Sequence, residues 1–238
     1  MISLCLYNNH ESFLDSFPLP ELNVSVCENV KDVHYSECPY DAKVEYLRAY
    51  SYYDNKWNYG VFYLNFPNIK MRSGYGFGLE AEVTTIKKST TGWVSICGIN
   101  WSSNLRCTFF INPSNLYCGL DWQTTGGGNM FQFTSGKHTV EVRKNSSTQA
   151  GIYYDNVQKA TKNYFTFDNS SFMLFGASTD SAYDVKVYRY WVVDSSGNYI
   201  LNCIPVRVGT TGYLYDKVSN QIFGNLKSGT FILGPDIN

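Results

Sequence analysis

The sequence carries only three histidines, His10, His34 and His138, and no closely spaced cysteine pair accompanies them as in a structural zinc site, so none is expected. Its seven cysteines, Cys5, Cys27, Cys38, Cys97, Cys107, Cys118 and Cys203, include no CxxC pair. An odd set of this kind fits thiols of a chain folded inside a cell and does not require disulfides. Charge is sparse and balanced, with 19 Lys plus Arg against 20 Asp plus Glu and a formal net charge of -1. No field therefore exists to gather phosphate backbones or anionic lipid, and neither nucleic acid nor membrane is an expected partner. No run of about 18 apolar residues occurs. The opening MISLCLYNNHESF lacks a basic stretch and a long apolar core, so a soluble chain without a secretion signal is expected.

What the sequence has in abundance is aromatic side chains, 17% in all, with 20 Tyr and 15 Phe among 238 residues. Rings and branched aliphatics suit half-buried pleated surfaces. From Lys43 onward such runs recur at short spacing, among them VEYLRAY, GVFYLNF, YGFGLEAEVTTI, RCTFFI, LYCGLDW, HTVEVRK, DVKVYRYWVV and YILNCIPVRV. Turn-formers divide them, including Asn112-Pro113-Ser114-Asn115, Asn145-Ser146-Ser147 and Ser195-Ser196-Gly197-Asn198. This rhythm predicts an all-β fold, an antiparallel β-sandwich of jelly-roll type over residues 43–238.

One hairpin serves to assign faces. A turn over Asn112–Asn115 pairs Ile111 with Leu116, Phe109 with Cys118, Cys107 with Leu120 and Arg106 with Asp121. Period two then gives a core face of Cys107, Phe109, Ile111, Leu116, Cys118 and Leu120, and a wet, aromatic face of Arg106, Thr108, Phe110, Tyr117 and Asp121. Residues 1–42 differ, being short apolar bursts broken by Pro18, Pro20 and Pro39. They are read as an extended leader whose Phe13, Leu14, Phe17, Leu19 and Leu22 dock on a partner or on the main domain.

The stretch DVKVYRYWVVDSSGNYILNCIPVRVGTTGYLYDKVSNQIFGNLKSGTFILGPD resembles the closing segment of concanavalin A-like lectin/glucanase domains of the laminin G-like type. VEYLRAYS, FGLEAEVTT and SGKHTVEVRKN agree with it, so the likeness spans about Lys43 to Asp236. NVSVCENVKDVHY followed by PYDAKVEYL resembles segments that precede such modules in virion proteins of phages infecting gut bacteria. The resemblance implies a sandwich whose ends close together, carried on a particle.

Catalytic patterns are weak. Glucanases of that family use a carboxylate pair on one strand, and retaining hydrolysis needs its two carboxyls about 5 to 5.5 Å apart. Here the nearest acids are Glu80 and Glu82, without the intervening aspartate or third carboxylate, and they read as solvent-facing residues of an outer strand. His138 reads as a surface strand residue. SGYGFG and TTGGGN lack the Lys-Ser/Thr and helix of a phosphate cradle. No DxDxDG loop occurs, and turn chemistry accounts for Asp54-Asn55, Asp168-Asn169 and Asp180, so no cofactor is indicated, calcium included.

Sugar recognition asks for flat rings beside planar polar groups. Trp57, Trp101 and Trp122 stand among polar residues, while Tyr117 with Arg106 and Asp121 lies on the wet hairpin face; these six are the candidate carbohydrate site. Trp93 and Trp191 are read as core. The leading expectation is a non-enzymatic virion protein, a head-fibre, tail-fibre or decoration subunit, present as a homo-oligomer or many-copy array. It would be attached to other virion proteins through residues 1–42 and would meet host-surface or mucus glycan. The alternatives are a purely structural virion adaptor, and a bacterial surface or extracellular carbohydrate-binding module or glycoside hydrolase.

Overall fold

The structure, a computed structural model, describes residues 38–50, 62–88, 93–99, 106–123, 129–167, 170–175 and 181–237. The leader residues Phe13, Leu14, Phe17, Leu19 and Leu22 lie outside the described residues, as do Trp57 and Trp101. The strands in chain order are β1 (Ala42–Val44), β2 (Leu47–Tyr50), β3 (Leu64–Lys70), β4 (Gly76–Lys88), β5 (Val94–Ile99) and β6 (Arg106–Ile111). β7 (Tyr117–Gln123), β8 (Asn129–Gln132), β9 (His138–Lys144), β10 (Gln149–Tyr154), β11 (Val157–Asn163) and β12 (Ser171–Leu174) follow. β13 (Ser181–Val193), β14 (Tyr199–Val208), β15 (Thr211–Asp216), β16 (Gln221–Phe223), β17 (Ile232–Leu233) and β18 (Asp236–Ile237) complete the set. Among the described residues no helix occurs.

The strands form two antiparallel sheets. The smaller has the order β3-β12-β5-β6-β7-β8. The larger runs β11-β10-β9-β4-β13-β14-β1-β18, with β2 also pairing β13, β17 pairing β2, and β15 and β16 continuing from β14. Period-two burial shows why these segments are strands: in β2, Leu47 and Ala49 are buried while Arg48 and Tyr50 are half-exposed. The inward rings of the two sheets interdigitate. Phe77 of β4 meets Phe109 of β6 at 5.7 Å and Phe172 of β12 at 5.6 Å, and Phe66 of β3 stacks on Tyr190 of β13 at 5.3 Å. Each fully buried ring of this kind contributes about 1.5–3 kcal/mol relative to exposure. The chain is therefore an all-β antiparallel sandwich.

The ends of the domain close as the sequence predicts. β17 pairs β2, with Leu233 opposite Leu47, and β18 pairs β1, with Lys43 opposite Ile237. Pro205, in the middle of β14, lies opposite Leu214 of β15. On its other side β14 changes partner from β13, which ends at Cys203, to β1, which begins at Val206, so the missing N–H breaks no ladder there. The turn that follows falls at Gly209-Thr210, where Gly209 supplies the positive φ of 58°.

The hairpin differs from the expected one in register, and in its faces at two residues: Leu116, expected in the core, lies half-buried in the loop, and Thr108, expected on the wet face, is buried with its hydroxyl donating to the Ile99 carbonyl at 3.0 Å. Ile111 pairs with Cys118, Phe109 with Leu120, Thr108 with Asp121 and Arg106 with Gln123, a slip of two residues from the expected ladder. The loop closes over 113–116 because Leu116 takes φ 54° and its N–H donates to the Asn112 carbonyl at 2.9 Å. An even slip preserves the side on which each residue lies, so Cys107, Phe109, Ile111, Cys118 and Leu120 are all buried. In this register Gln123 stands opposite Arg106, and Thr108 opposite Asp121.

Four cysteines, Cys97, Cys107, Cys118 and Cys203, are buried free thiols. Cys38 is disulfide-bonded, which the expectation of thiols did not require.

Candidate functional site

The expected aromatic cluster is not assembled. Trp122 is buried, and its indole Nε1 donates to the Asn163 carbonyl at 2.7 Å while Phe165 meets it edge-on at 5.6 Å. It caps one end of the core and offers no face to a ligand. The physical reason is parity, since Cys118 and Leu120 point inward and Trp122 is the next residue in that series. Tyr117 and Asp121 are half-buried on the outward side of the smaller sheet, and only the backbone of Arg106 is described. Trp93 is half-buried rather than core, whereas Trp191 is buried to 9% exposure.

The structure instead gathers rings and charges on the outward face of the large sheet. Strand register places Tyr153 opposite Glu141, Glu141 opposite Gly78, Gly78 opposite Trp191 and Trp191 opposite Asn202. These five form one row across β10, β9, β4, β13 and β14, about 19 Å long at the usual strand spacing. Glycine makes the row flat. A Cβ on Gly78 would lie 2.2 Å from Trp191 Cζ2 and 2.8 Å from Glu141 Cγ, so the indole occupies the space a side chain would take. Gly151 does the same for Tyr153, whose Cε2 would lie 2.6 Å from an added Cβ.

Cations sit on these rings. The Arg189 guanidinium lies 4.9 Å from the Trp191 ring centroid and 5.0 Å from that of Tyr199, and its Nε donates to Asn202 Oδ1 at 3.0 Å. Arg143 covers Tyr153 at 4.5 Å and donates to Glu141 and to Asn156 Oδ1, the latter at 2.6 Å. The Tyr153 hydroxyl lies 3.0 Å from both Asn145 Oδ1 and Gln158 Oε1. Farther along, Lys186 lies 5.1 Å from the Tyr46 ring centroid, and Arg48 is bidentate to Asp184 at 2.7 and 3.0 Å.

A bulge sets the aim of Arg189. Val187 pairs with Ala81 and Arg189 with Glu80, leaving Tyr188 as the extra residue of β13. Val185 and Val187 point inward before it, and Tyr190 and Val192 point inward after it. Tyr188 and Arg189 thus both face outward. Burial and then the hydrogen bond to Glu82 hold the Tyr188 phenol well above its ordinary value.

Glu80 and Glu82 lie on this face, but β4 sits between β9 and β13 and is not an outer strand. Glu80 pairs with Lys137 at 2.9 Å, and Glu82 accepts from Lys186 at 2.9 Å and from the Tyr188 hydroxyl at 3.1 Å. Each acid is thus neutralised by its own lysine. His138, at the start of β9 on the inward parity of Val140 and Val142, is not the surface strand residue expected; its Nε2 lies 2.8 Å from Thr134 Oγ1 and its Nδ1 2.6 Å from Asp155 Oδ2. Its ring stacks on Tyr154 at 5.0 Å, and Asp155 also accepts from the Thr139 N–H at 2.9 Å. This chain of contacts ties the loop before β9 to the tight turn at Asp155-Asn156, both of whose residues have positive φ. Among the described residues no group of three or more His, Cys, Asp or Glu side chains is placed to hold a metal ion.

No protein family matches the chain, and no curated protein matches it. Among solved structures it is similar to a Bacteroides ovatus protein assigned by inference to carbohydrate binding, with 12% identity, a TM-score of 0.49, and 82% of this chain and 62% of that one covered. It is also similar to alginate lyase AlgAT5 from Polysaccharide Lyase family 7, with 12% identity, a TM-score of 0.39 and coverage of 62% and 68%. A third likeness is to the sialidase of Trypanosoma rangeli, at 11% identity and a TM-score of 0.38, covering 52% of this chain and 21% of that one. This chain thus spans about a fifth of the sialidase's length. No ligand or residue role passes from these likenesses to this chain.

Proposed function

We propose that this chain is a non-catalytic carbohydrate-binding β-sandwich that takes an extended glycan across the outward face of its large sheet. The observation that carries this reading is the row Tyr153, Glu141, Gly78, Trp191 and Asn202, in which rings laid flat by glycine alternate with planar polar groups. A pyranose has a hydroxyl rim for the amides, guanidinium groups and carboxylate along the row, and an apolar C–H face for the exposed ring of Tyr199 beside it. The length of the row, about 19 Å, suits several sugar units. Glu80 and Glu82, each held by a lysine, support binding over hydrolysis.

The finer setting, a virion appendage exposed on a particle and anchored through residues 1–42, rests on the resemblance of the leader to segments of phage virion proteins. A many-copy array fits that setting because weak single sites gain from effective concentration. The test is a glycan array probed with a multimerised preparation of the full chain, beside Tyr153→Ala and Glu82→Gln variants. Binding that weakens in Tyr153→Ala supports the reading. A blank array from folded protein moves the assignment to a structural adaptor, and hydrolysis that vanishes in Glu82→Gln moves it to an enzyme.

A further inference from the structure

Resting on that reading, we propose that Arg189 forms a carboxylate-binding subsite, so that the glycan taken by this face is an acidic one carrying uronic or similarly carboxylated sugars. Arg48, Arg143 and Arg207 each have a carboxylate partner, Asp184, Glu141 and Asp236 respectively. Arg189 has none among the described residues. Its Nε is held by Asn202 Oδ1, and its two Nη groups carry no hydrogen bond among the described residues.

The acids nearest along the strands are committed elsewhere. Glu80, the direct cross-strand partner of Arg189, turns its carboxylate to Lys137 at 2.9 Å. Glu141, beside Gly78 and the Trp191 ring, is held by Arg143. A guanidinium half-buried without a counter-ion is costly unless its remaining donors find an acceptor, and none is supplied among the described residues.

The surroundings also fix the shape of what can bind. Trp191 and Tyr199 both place their rings against the guanidinium, at 4.9 and 5.0 Å, and Nε is occupied, so the open approach is toward the Nη pair. Two parallel N–H donors in one plane match the two oxygens of a carboxylate. The group is pre-organised, because Trp191 is locked over Gly78 and the bulge at Tyr188 fixes the outward aim. Tyr199, 45% exposed, extends the surface beyond the charge.

The test is affinity electrophoresis and calorimetry of the full chain with polygalacturonate, with the same polymer after reduction of its carboxyl groups, and with dextran sulfate. The expected result is binding to polygalacturonate, with affinity for the reduced polymer lower by about 10- to 100-fold. Arg189→Met is expected to reproduce that loss on the acidic polymer and to lower binding to the reduced one by a much smaller factor, so that the preference for the acidic polymer disappears. Arg189→Lys, which keeps the charge and loses the fork, is expected to bind at least several-fold more weakly than the parent and serves if the methionine variant misfolds. Equal binding of the acidic and reduced polymers overturns the subsite while leaving glycan binding intact. Preference for dextran sulfate, or an Arg189→Lys variant equal to the parent, overturns carboxylate recognition. Absence of binding to all three, with folding verified by circular dichroism, overturns the subsite together with the glycan reading.

Discussion

The indole of Trp191 lies across the backbone of Gly78, close enough that a Cβ on Gly78 would come within 2.2 Å of its Cζ2. Two strands of the large sheet are thereby fitted as ring and trough, and Arg189 rests on the ring. Gly78→Ala must lift the indole. We expect a loss of about 1–3 kcal/mol in urea unfolding, together with a red shift of tryptophan emission. An alanine variant as stable as the parent, with unchanged emission, would mean that the ring does not lie there.

Asp216 anchors the turn between β15 and β16 from a position only 1% exposed. Its Oδ1 accepts from the Asn202 N–H at 2.7 Å and the Val218 N–H at 3.1 Å, and its Oδ2 from the Ser219 N–H at 3.1 Å and hydroxyl at 2.6 Å. Asp216→Ala orphans these donors and is expected to destabilise by on the order of 3 kcal/mol. Ser219→Ala, which removes one hydroxyl, is expected to cost about 1 kcal/mol. Chemical denaturation of the two variants checks the order, and a larger effect at Ser219 would contradict it.

The carboxylate of Asp194 is held below its ordinary value of 3.8, chiefly by the Asn198 N–H at 2.9 Å, with the Ser196 N–H at 2.8 Å adding to it. A group depressed in the folded state stabilises fully above the unfolded value and loses that contribution as pH falls through the folded value. The effect therefore fades below about pH 3.8 and is flat near neutrality. A carboxyl-carbon titration by NMR should show Asp194 titrating below the free residue. The stability difference between the parent and Asp194→Asn should shrink over the same window. A midpoint at or above 3.8 would contradict the turn's hydrogen bonding.

Burial raises the thiols of Cys97, Cys107, Cys118 and Cys203 above their ordinary value. Since the thiolate is the reactive form, maleimide labelling mapped by mass spectrometry should find these four silent in native protein at pH 8 and modified once urea unfolds the chain. Rapid native labelling of Cys107 or Cys118 would remove the hairpin from the core.

Local pattern made much of this architecture readable. The core face of the β6–β7 hairpin follows from period two and turn chemistry, and the closure of β17 on β2 is what the family resemblance implied. Trp122 was legible too, because inward Cys118 and Leu120 fix its side; its polar neighbours pointed the other way. The site was not legible. Arg189 faces outward only because a bulge at Tyr188 breaks the alternation, and Trp191 lies flat only because the glycine across from it sits on β4. Likewise Glu82 read as a bare carboxylate, since its lysine stands 104 positions away. Such partners are set by which strands become neighbours, and a single strand's sequence does not contain that information.

At the sheet edge, β18 lies against β1 with Lys43 opposite Ile237 and Val44 opposite Asp236, and Arg207 clasps Asp236 at 2.7 and 2.8 Å. Because the pair is antiparallel, the chain enters and leaves on the same side. Tension drawn through both ends would load this short ladder like a zip fastener, one rung after another, rather than all rungs together. The edge would therefore open in sequence while the stacked interior keeps its shape, and Tyr40, buried against Tyr215 at 4.8 Å just ahead of β1, would be the first ring it uncovers.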